Sequence, residues 1–221
     1  MKIENNIIKH YMRNVYFITG TAYSGKSTMV KLLAEKYGMI FCGENYHEIV
    51  AAAVKAPDKQ PALCYFETMS GWQEFINRTP DEYYSWILKA SEEAAEIEVA
   101  ELIKLSASDS KIIVDTNISL EVLHEISDYN HVAVMLSPQS MSVDHFFDRS
   151  DPEKQFLLMQ IKNAVDPEKT LENFRACIAK CNSADEYKKY KNSGFFIIVR
   201  EDSQINTKAE VLEALERHFE L

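Results

Sequence analysis

The eight residues Gly20-Thr21-Ala22-Tyr23-Ser24-Gly25-Lys26-Ser27 constrain the fold more than any other part of the chain. They fit G-x-x-x-x-G-K-[ST], the pattern of a phosphate-cradling loop. The pattern carries weight only between a strand and a helix, and both are legible here. Val15-Tyr16-Phe17-Ile18-Thr19 reads as a buried strand. After the loop, Met29, Leu32, Leu33 and Tyr37 recur at helical spacing, and Gly38 supplies a C-terminal stop.

The residue types explain the chemistry expected of such a loop. Gly20 lets the chain leave the strand in a tight turn, and Gly25 removes a side chain where backbone must approach phosphate. Consecutive N–H groups from Thr21, Ala22, Tyr23 and Ser24 onward, with the positive end of the next helix, then face an anion. Lys26 is placed to reach the β- and γ-phosphates, and Ser27 to offer its hydroxyl to Mg²⁺. Thr28 adds a second polar contact in the first helical turn.

Composition sets outer limits. The 221 residues suit one domain, residues 1–221. A hydrophobic content of 46% is enough for a real core. The net charge of −10 and a pI near 5.1 argue against a nucleic-acid or anionic-membrane surface. No apolar run approaches a membrane span, and the N-terminus lacks a signal-peptide pattern, so a cytoplasmic location is expected. Cys42, Cys64, Cys177 and Cys181 make no C-x-x-C pair and read as small buried residues. The six histidines are scattered without zinc-site spacing.

Further strands are expected at Met39-Ile40-Phe41-Cys42, at Ile112-Ile113-Val114 ending in Asp115, at Val132 to Leu136, and at Phe195 to Val199. Their apolar runs lack strict alternation, as in parallel sheets covered on both faces. Residues 1–13 read as a polar-to-mixed arm. Thr79-Pro80-Asp81-Glu82 is a capping box opening a helix that runs to about Leu105. Asp166-Pro167 opens another helix, and Thr207 is expected to cap the last. This alternation predicts an α/β fold, a three-layer α/β/α sandwich on a five-stranded parallel sheet. About seventy residues separate the second and third strands, and about sixty the fourth and fifth, far more than simple crossovers need. Both excursions leave strand C-terminal ends, where open α/β sheets bind ligands. Residues 43–110 are read as a helical acceptor-binding insertion and 137–166 as a lid.

The loop with its helix, the strand ending in Asp115 and the two excursions resemble the small P-loop kinases, which include nucleoside-monophosphate, shikimate- and gluconate-type kinases. The resemblance implies the P-loop NTPase fold with sheet order 2-3-1-4-5, ATP and Mg²⁺ as cofactors, a lid arginine at the phosphates, and a loop after the fifth strand touching adenine. The chain departs from these kinases after its third strand, where Asp115-Thr116-Asn117-Ile118-Ser119 stands in place of D-G-[FY]-P-R. It also lacks the acidic pair and glycine triplet of shikimate kinases. The resemblance therefore reaches the superfamily and leaves the phosphoryl acceptor open.

Four residues outside the loop are candidates. Asp115, at the end of a buried strand, is placed to hold Mg²⁺, or else is a helix cap or a solvated loop acid. Glu44 follows the second strand and is either a base for the acceptor hydroxyl or an acid at a helix N-terminus. Arg149 is either an arginine finger or a surface residue pairing with Asp148, Asp151 or Glu153. Arg78 is a weaker candidate for an anionic acceptor group. The aromatics Tyr46, Tyr65, Phe66, Trp72, Phe75, Tyr83, Tyr84 and Trp86 line an acceptor pocket or simply form core. Glu92, Glu93, Glu96, Glu98 and Glu101 read as a solvated helix face. The expected activity is an ATP- and Mg²⁺-dependent small-molecule kinase, catalysed by Lys26, Asp115, Arg149 and Glu44 and working as monomer or homodimer. The alternative is a regulatory ATPase or GTPase that hydrolyses nucleotide without an organic acceptor.

Overall fold

Val15–Gly20 forms the central strand, β1, whose first five side chains are all buried between two covering layers. The computed structural model describes residues 3–148, 152–201 and 205–221. Four strands join β1: β2 (Ile40–Cys42), β3 (Ile112–Asp115), β4 (Val132–Leu136) and β5 (Phe196–Val199). The order is β2-β3-β1-β4-β5, and every pairing is parallel. Each strand coincides with one of the expected apolar runs to within a residue at either end.

The helices are α1 (Asn5–Tyr11), α2 (Lys26–Tyr37), α3 (Glu48–Val54), α4 (Tyr65–Thr68), α5 (Trp72–Ile76), α6 (Pro80–Leu105), α7 (Leu120–Ile126), α8 (Gln139–Asp144), α9 (Pro152–Lys162), α10 (Pro167–Cys181), α11 (Ala184–Lys191) and α12 (Lys208–His218). On one face of the sheet, Met29, Val30 and Leu33 of α2 and Leu215 of α12 pack on Tyr16, Ile18, Ile113 and Met135. On the other, Leu102 of α6 and Leu123 and Ile126 of α7 cover Phe17, Ile112, Val114 and Val134. Full burial of such a side chain contributes roughly 1.5–3 kcal/mol, so both layers are held by the sheet. Among the described residues no helix is long and apolar enough to cross a membrane.

A third core lies away from the sheet. Phe75 and Ile76 of α5, Tyr83 of α6, Ile161 of α9 and Phe174, Cys177 and Ile178 of α10 form it. The Phe174 ring meets Tyr83 edge-on at 5.4 Å, and Trp72 meets Phe156 at 5.0 Å. The two long excursions therefore share one aromatic core.

Local capping follows the sequence in most places. Thr79 accepts from the Glu82 N–H, and Glu82 reaches back to the Thr79 N–H, so the capping box of α6 is complete. Asp166 accepts from the Lys169 N–H at the start of α10. Two expectations are corrected. Thr207 makes no capping hydrogen bond: its ψ of 14° lacks the extended geometry that turns an N-cap side chain onto the helix. Asn206 Oδ1 accepts from the Lys208 N–H instead, at 3.3 Å. The N-terminal arm is partly helix, because Met12 is buried and Ile8 packs on the sheet core, while Lys9 pairs with Asp128 at 2.6 Å.

Candidate functional site

The Gly20–Ser27 loop is shaped by contacts with the β4 end. Gly20 has φ of 129°, and a Cβ there would lie 2.0 Å from the Met135 carbonyl oxygen, so only glycine fits. The Thr21 N–H donates to that same oxygen at 3.0 Å. Thr21 Oγ1 accepts from the Ser137 N–H at 2.7 Å, and Ser137 Oγ donates to the Ala22 carbonyl at 2.6 Å. Ser24 Oγ closes the turn on the Thr21 carbonyl at 2.9 Å. Tyr23 has φ of 64°, and its hydroxyl donates to the His145 carbonyl at 2.6 Å. The two branched or bulky loop residues thus fix the loop to the segment after β4.

Gly25, at φ of 96°, precedes α2 and gives it no side-chain cap, unlike Thr79 at α6, Ser119 at α7 and Ser183 at α11. The first N–H groups of a helix have no intrahelical partners, so this end is open to an anion and carries partial positive charge. Lys26 folds back so that Nζ donates to the Thr21 carbonyl at 2.9 Å and the Gly20 carbonyl at 3.3 Å.

Ser27 Oγ donates to Asp115 Oδ2 at 2.7 Å. Asp115 pairs in register with Ile18 of β1, which brings the β3 end beside the loop. Its side chain is buried, and burial pushes the carboxyl above its usual range. The Lys26 charge and the Ser27 hydrogen bond pull it down, while Glu44 and Glu98 add to the rise. Asp115 is a strand residue bonded to a helix hydroxyl and caps no helix; Ser119 caps α7. One hydroxyl and one carboxylate fit Mg²⁺, which takes few protein ligands and keeps waters and substrate phosphates. Among the described residues no group of three or more His, Cys, Asp and Glu side chains is arranged around a metal position.

Glu44 is exposed in the turn after β2, close enough to act electrostatically on Asp115. Helix α3 begins four residues later, at Glu48, so Glu44 is not its N-terminal acid. Arg149 lies outside the described residues. Lys154, on α9, has its ammonium 5.8 Å from the Tyr23 ring centre. Arg78 lies 3.8 Å over the Tyr65 ring, with Nη1 buried and without a hydrogen-bond partner. Most of the candidate aromatics belong to the third core. Tyr46 instead packs against the sheet core, and Tyr84 bonds Glu186.

The solvated face expected of α6 is corrected at two positions. Glu98 is fully buried and Glu93 is 4% exposed. Glu98 accepts from Thr116 Oγ1 at 2.8 Å, the Asn117 N–H at 3.3 Å and Asn117 Nδ2 at 3.0 Å. It also lies 3.5 Å from His47 Nδ1, which is itself buried and without hydrogen-bond geometry to any partner. Glu93 accepts from the Ala62 and Leu63 N–H groups at 2.9 and 3.0 Å. Buried carboxylates persist where such donors satisfy them, as at Glu98; at Glu93 both donors meet Oε2, and Oε1 is buried without a partner. A signal was present: Glu98 stands in the apolar stripe of Ala94, Ile97 and Leu102.

A cavity of about 230 Å³ opens beside the loop, between the first turn of α2 and the β5–α12 connection. Gly25, Thr28, Met29, Ile198, Arg200 and Lys208 are among its walls. Arg200, which the sequence reading missed, donates from Nη1 to the Tyr23 carbonyl at 3.5 Å. Comparison with protein families, curated proteins and solved structures finds no match to this chain.

Proposed function

We propose that this chain is an ATP- and Mg²⁺-dependent kinase that phosphorylates a small molecule. The observation that carries the reading is the Ser27–Asp115 contact, formed beside Lys26 and the uncapped start of α2. A hydroxyl, a carboxylate, an ammonium and free helix amides then converge, which is the set that phosphoryl transfer requires.

In this reading the triphosphate lies along the loop, and the nucleoside enters the adjacent cavity, whose walls include apolar Met29 and Ile198 and the cations Arg200 and Lys208. Ser27 and Asp115 would hold Mg²⁺, whose charge offsets that of the phosphates. Lys26 exchanges its loop carbonyls for phosphate oxygens. Residues 43–110 supply the acceptor site and 137–166 the cover, with the Tyr23–His145 bond joining cover to loop. The acceptor oxygen bonds to the γ-phosphorus while the bond to the β,γ-bridging oxygen breaks. ADP leaves with that electron pair, and the acceptor proton passes to Glu44, the exposed carboxylate beside Asp115.

The test is ATP-analogue binding and ADP formation, with and without candidate acceptors, for the parent and Lys26→Ala. Binding and acceptor-dependent turnover that Lys26→Ala abolishes, with thermal unfolding unchanged, supports the reading. Turnover indifferent to every acceptor supports a hydrolase instead. Near-normal turnover in Lys26→Ala removes the loop from the chemistry.

A further inference from the structure

Glu98 stands where α6 calls for an apolar side chain. Ala94, Ile97 and Leu102 around it are buried, and Glu98 is buried completely. Burying its polar atoms costs free energy unless donors meet them. The helix is already held by its capping box and by Leu102 in the sheet core, so α6 itself does not call for a carboxyl group there.

What Glu98 meets is the turn that follows Asp115. Oε2 accepts from the Thr116 hydroxyl at 2.8 Å and from the Asn117 N–H at 3.3 Å, and Oε1 accepts from Asn117 Nδ2 at 3.0 Å. Thr116 Oγ1 in turn accepts from the Ile118 N–H at 3.0 Å. The Thr116 N–H donates to the Ile18 carbonyl at 3.1 Å. The chain just past Asp115 is thus fixed by β1 on one side and by Glu98 on the other. The β2–α3 connection covers Glu98 in its place: the Tyr46 hydroxyl donates to the Glu98 carbonyl at 3.4 Å, and buried His47 brings Nδ1 to 3.5 Å from Oε1.

The residue before this turn is the one whose direction matters most. Asp115 and Ser27 are the two groups placed for Mg²⁺, and Ser27 bonds Asp115 Oδ2 at 2.7 Å. Mg²⁺ demands near-ideal octahedral geometry at about 2.1 Å, so a lone carboxylate ligand must be presented at a fixed angle. Partners behind a metal ligand supply that constraint.

We propose that Glu98 is the positioning residue of the metal site: by holding Thr116 and Asn117 it fixes the end of β3, and with it the angle at which Asp115 faces Mg²⁺ beside Ser27. The role rests on the kinase reading and is tested apart from it. Glu98 acts in it only as a hydrogen-bond acceptor, which a glutamine amide oxygen can also be.

The experiment is a Mg²⁺ titration of the binding of a fluorescent, non-hydrolysable ATP analogue to the full chain, at a temperature well below the unfolding of every variant. Glu98→Ala is expected to raise the Mg²⁺ midpoint about tenfold, as for loss of other partners behind metal ligands. Glu98→Gln should stay within about twofold of the parent, because its amide oxygen takes the Thr116 and Asn117 donors and the exposed Asn117 amide can turn to meet its NH₂ group. Glu93→Ala is the control for a merely structural effect. It also strips a buried carboxyl partner from α6, but from the Ala62 and Leu63 N–H groups, so its midpoint should match the parent. Should Glu98→Ala not fold, Thr116→Val decides, since it removes the hydroxyl that Glu98 accepts and should move the midpoint the same way. An unmoved midpoint in the deciding variant, an equal shift in Glu93→Ala, or a shift in Glu98→Gln as large as in the deciding variant overturns the proposal alone. Analogue binding that is absent in the parent, or indifferent to Mg²⁺, overturns the kinase reading beneath it, and this proposal with it.

Discussion

The Ser27 hydroxyl donates to Asp115 Oδ2 at 2.7 Å, joining residues 88 positions apart. The contact exists because β3 lies directly beside β1 and carries Asp115 to the level of Ile18, just before the loop begins. It keeps a buried carboxylate next to a helix start, where Lys26 is the one cation that offsets it among the described residues. Such an arrangement costs stability, and that cost can be measured.

Asp115→Asn should stabilise the ligand-free protein at pH 7 while weakening Mg²⁺-dependent nucleotide binding by roughly tenfold or more. Burial raises the folded-state carboxyl above its unfolded value of 3.8, so folding favours the protonated form. That contribution is complete below pH 3.8 and is lost as the pH rises through the folded value. The advantage of the asparagine variant should therefore shrink as the pH is lowered toward 3.8. Thermal unfolding across pH, paired with nucleotide titration, checks both halves; an asparagine variant less stable at pH 7 would contradict the first.

Gly20→Ala should cost at least about 3 kcal/mol, since the new Cβ would sit 2.0 Å from a backbone oxygen at φ of 129°. Gly38→Ala is the control. Its φ is 62° but nothing lies within 4 Å of the added carbon, so only about 1 kcal/mol is expected. Urea unfolding of the two variants separates steric exclusion from conformational preference.

Glu93→Ala should destabilise by about 2 kcal/mol or more, because the Ala62 and Leu63 N–H groups lose their shared partner. Glu92→Ala, one residue away and exposed, should stay within about 0.5 kcal/mol of the parent. Equal effects in equilibrium unfolding would return Glu93 to the helix surface.

Arg200→Ala should weaken binding of an ATP analogue by roughly tenfold, as expected for loss of one charge-assisted contact of about 1.4 kcal/mol. Arg200 walls the cavity and reaches the Tyr23 carbonyl, but supports no core. Unfolding should be unchanged, and an unchanged affinity would place the nucleoside elsewhere.

The chain itself determined whatever depends on near neighbours. The three central runs became buried parallel strands because they are too uniformly apolar for any place but a sheet covered on both faces, and the two other runs joined them as edges, with Phe41 and Val199 exposed. The loop, the Thr79–Glu82 capping box and the Gly38 stop are likewise written in a few consecutive residues. The solvation of a charged side chain is not written that way. Glu96 and Glu98 are two residues apart on one helix, yet Glu96 is exposed and Glu98 is fully buried. What distinguishes them is that Thr116 and Asn117, from a strand end far along the chain, bring their donors to Glu98 alone. Arg200 reaches the Tyr23 carbonyl for the same reason: β5 completes the sheet beside β4, whose end already anchors the loop. Periodicity places a residue on a face. Only the assembled sheet decides which distant donors and charges meet it there, and those set the energy of a buried polar group.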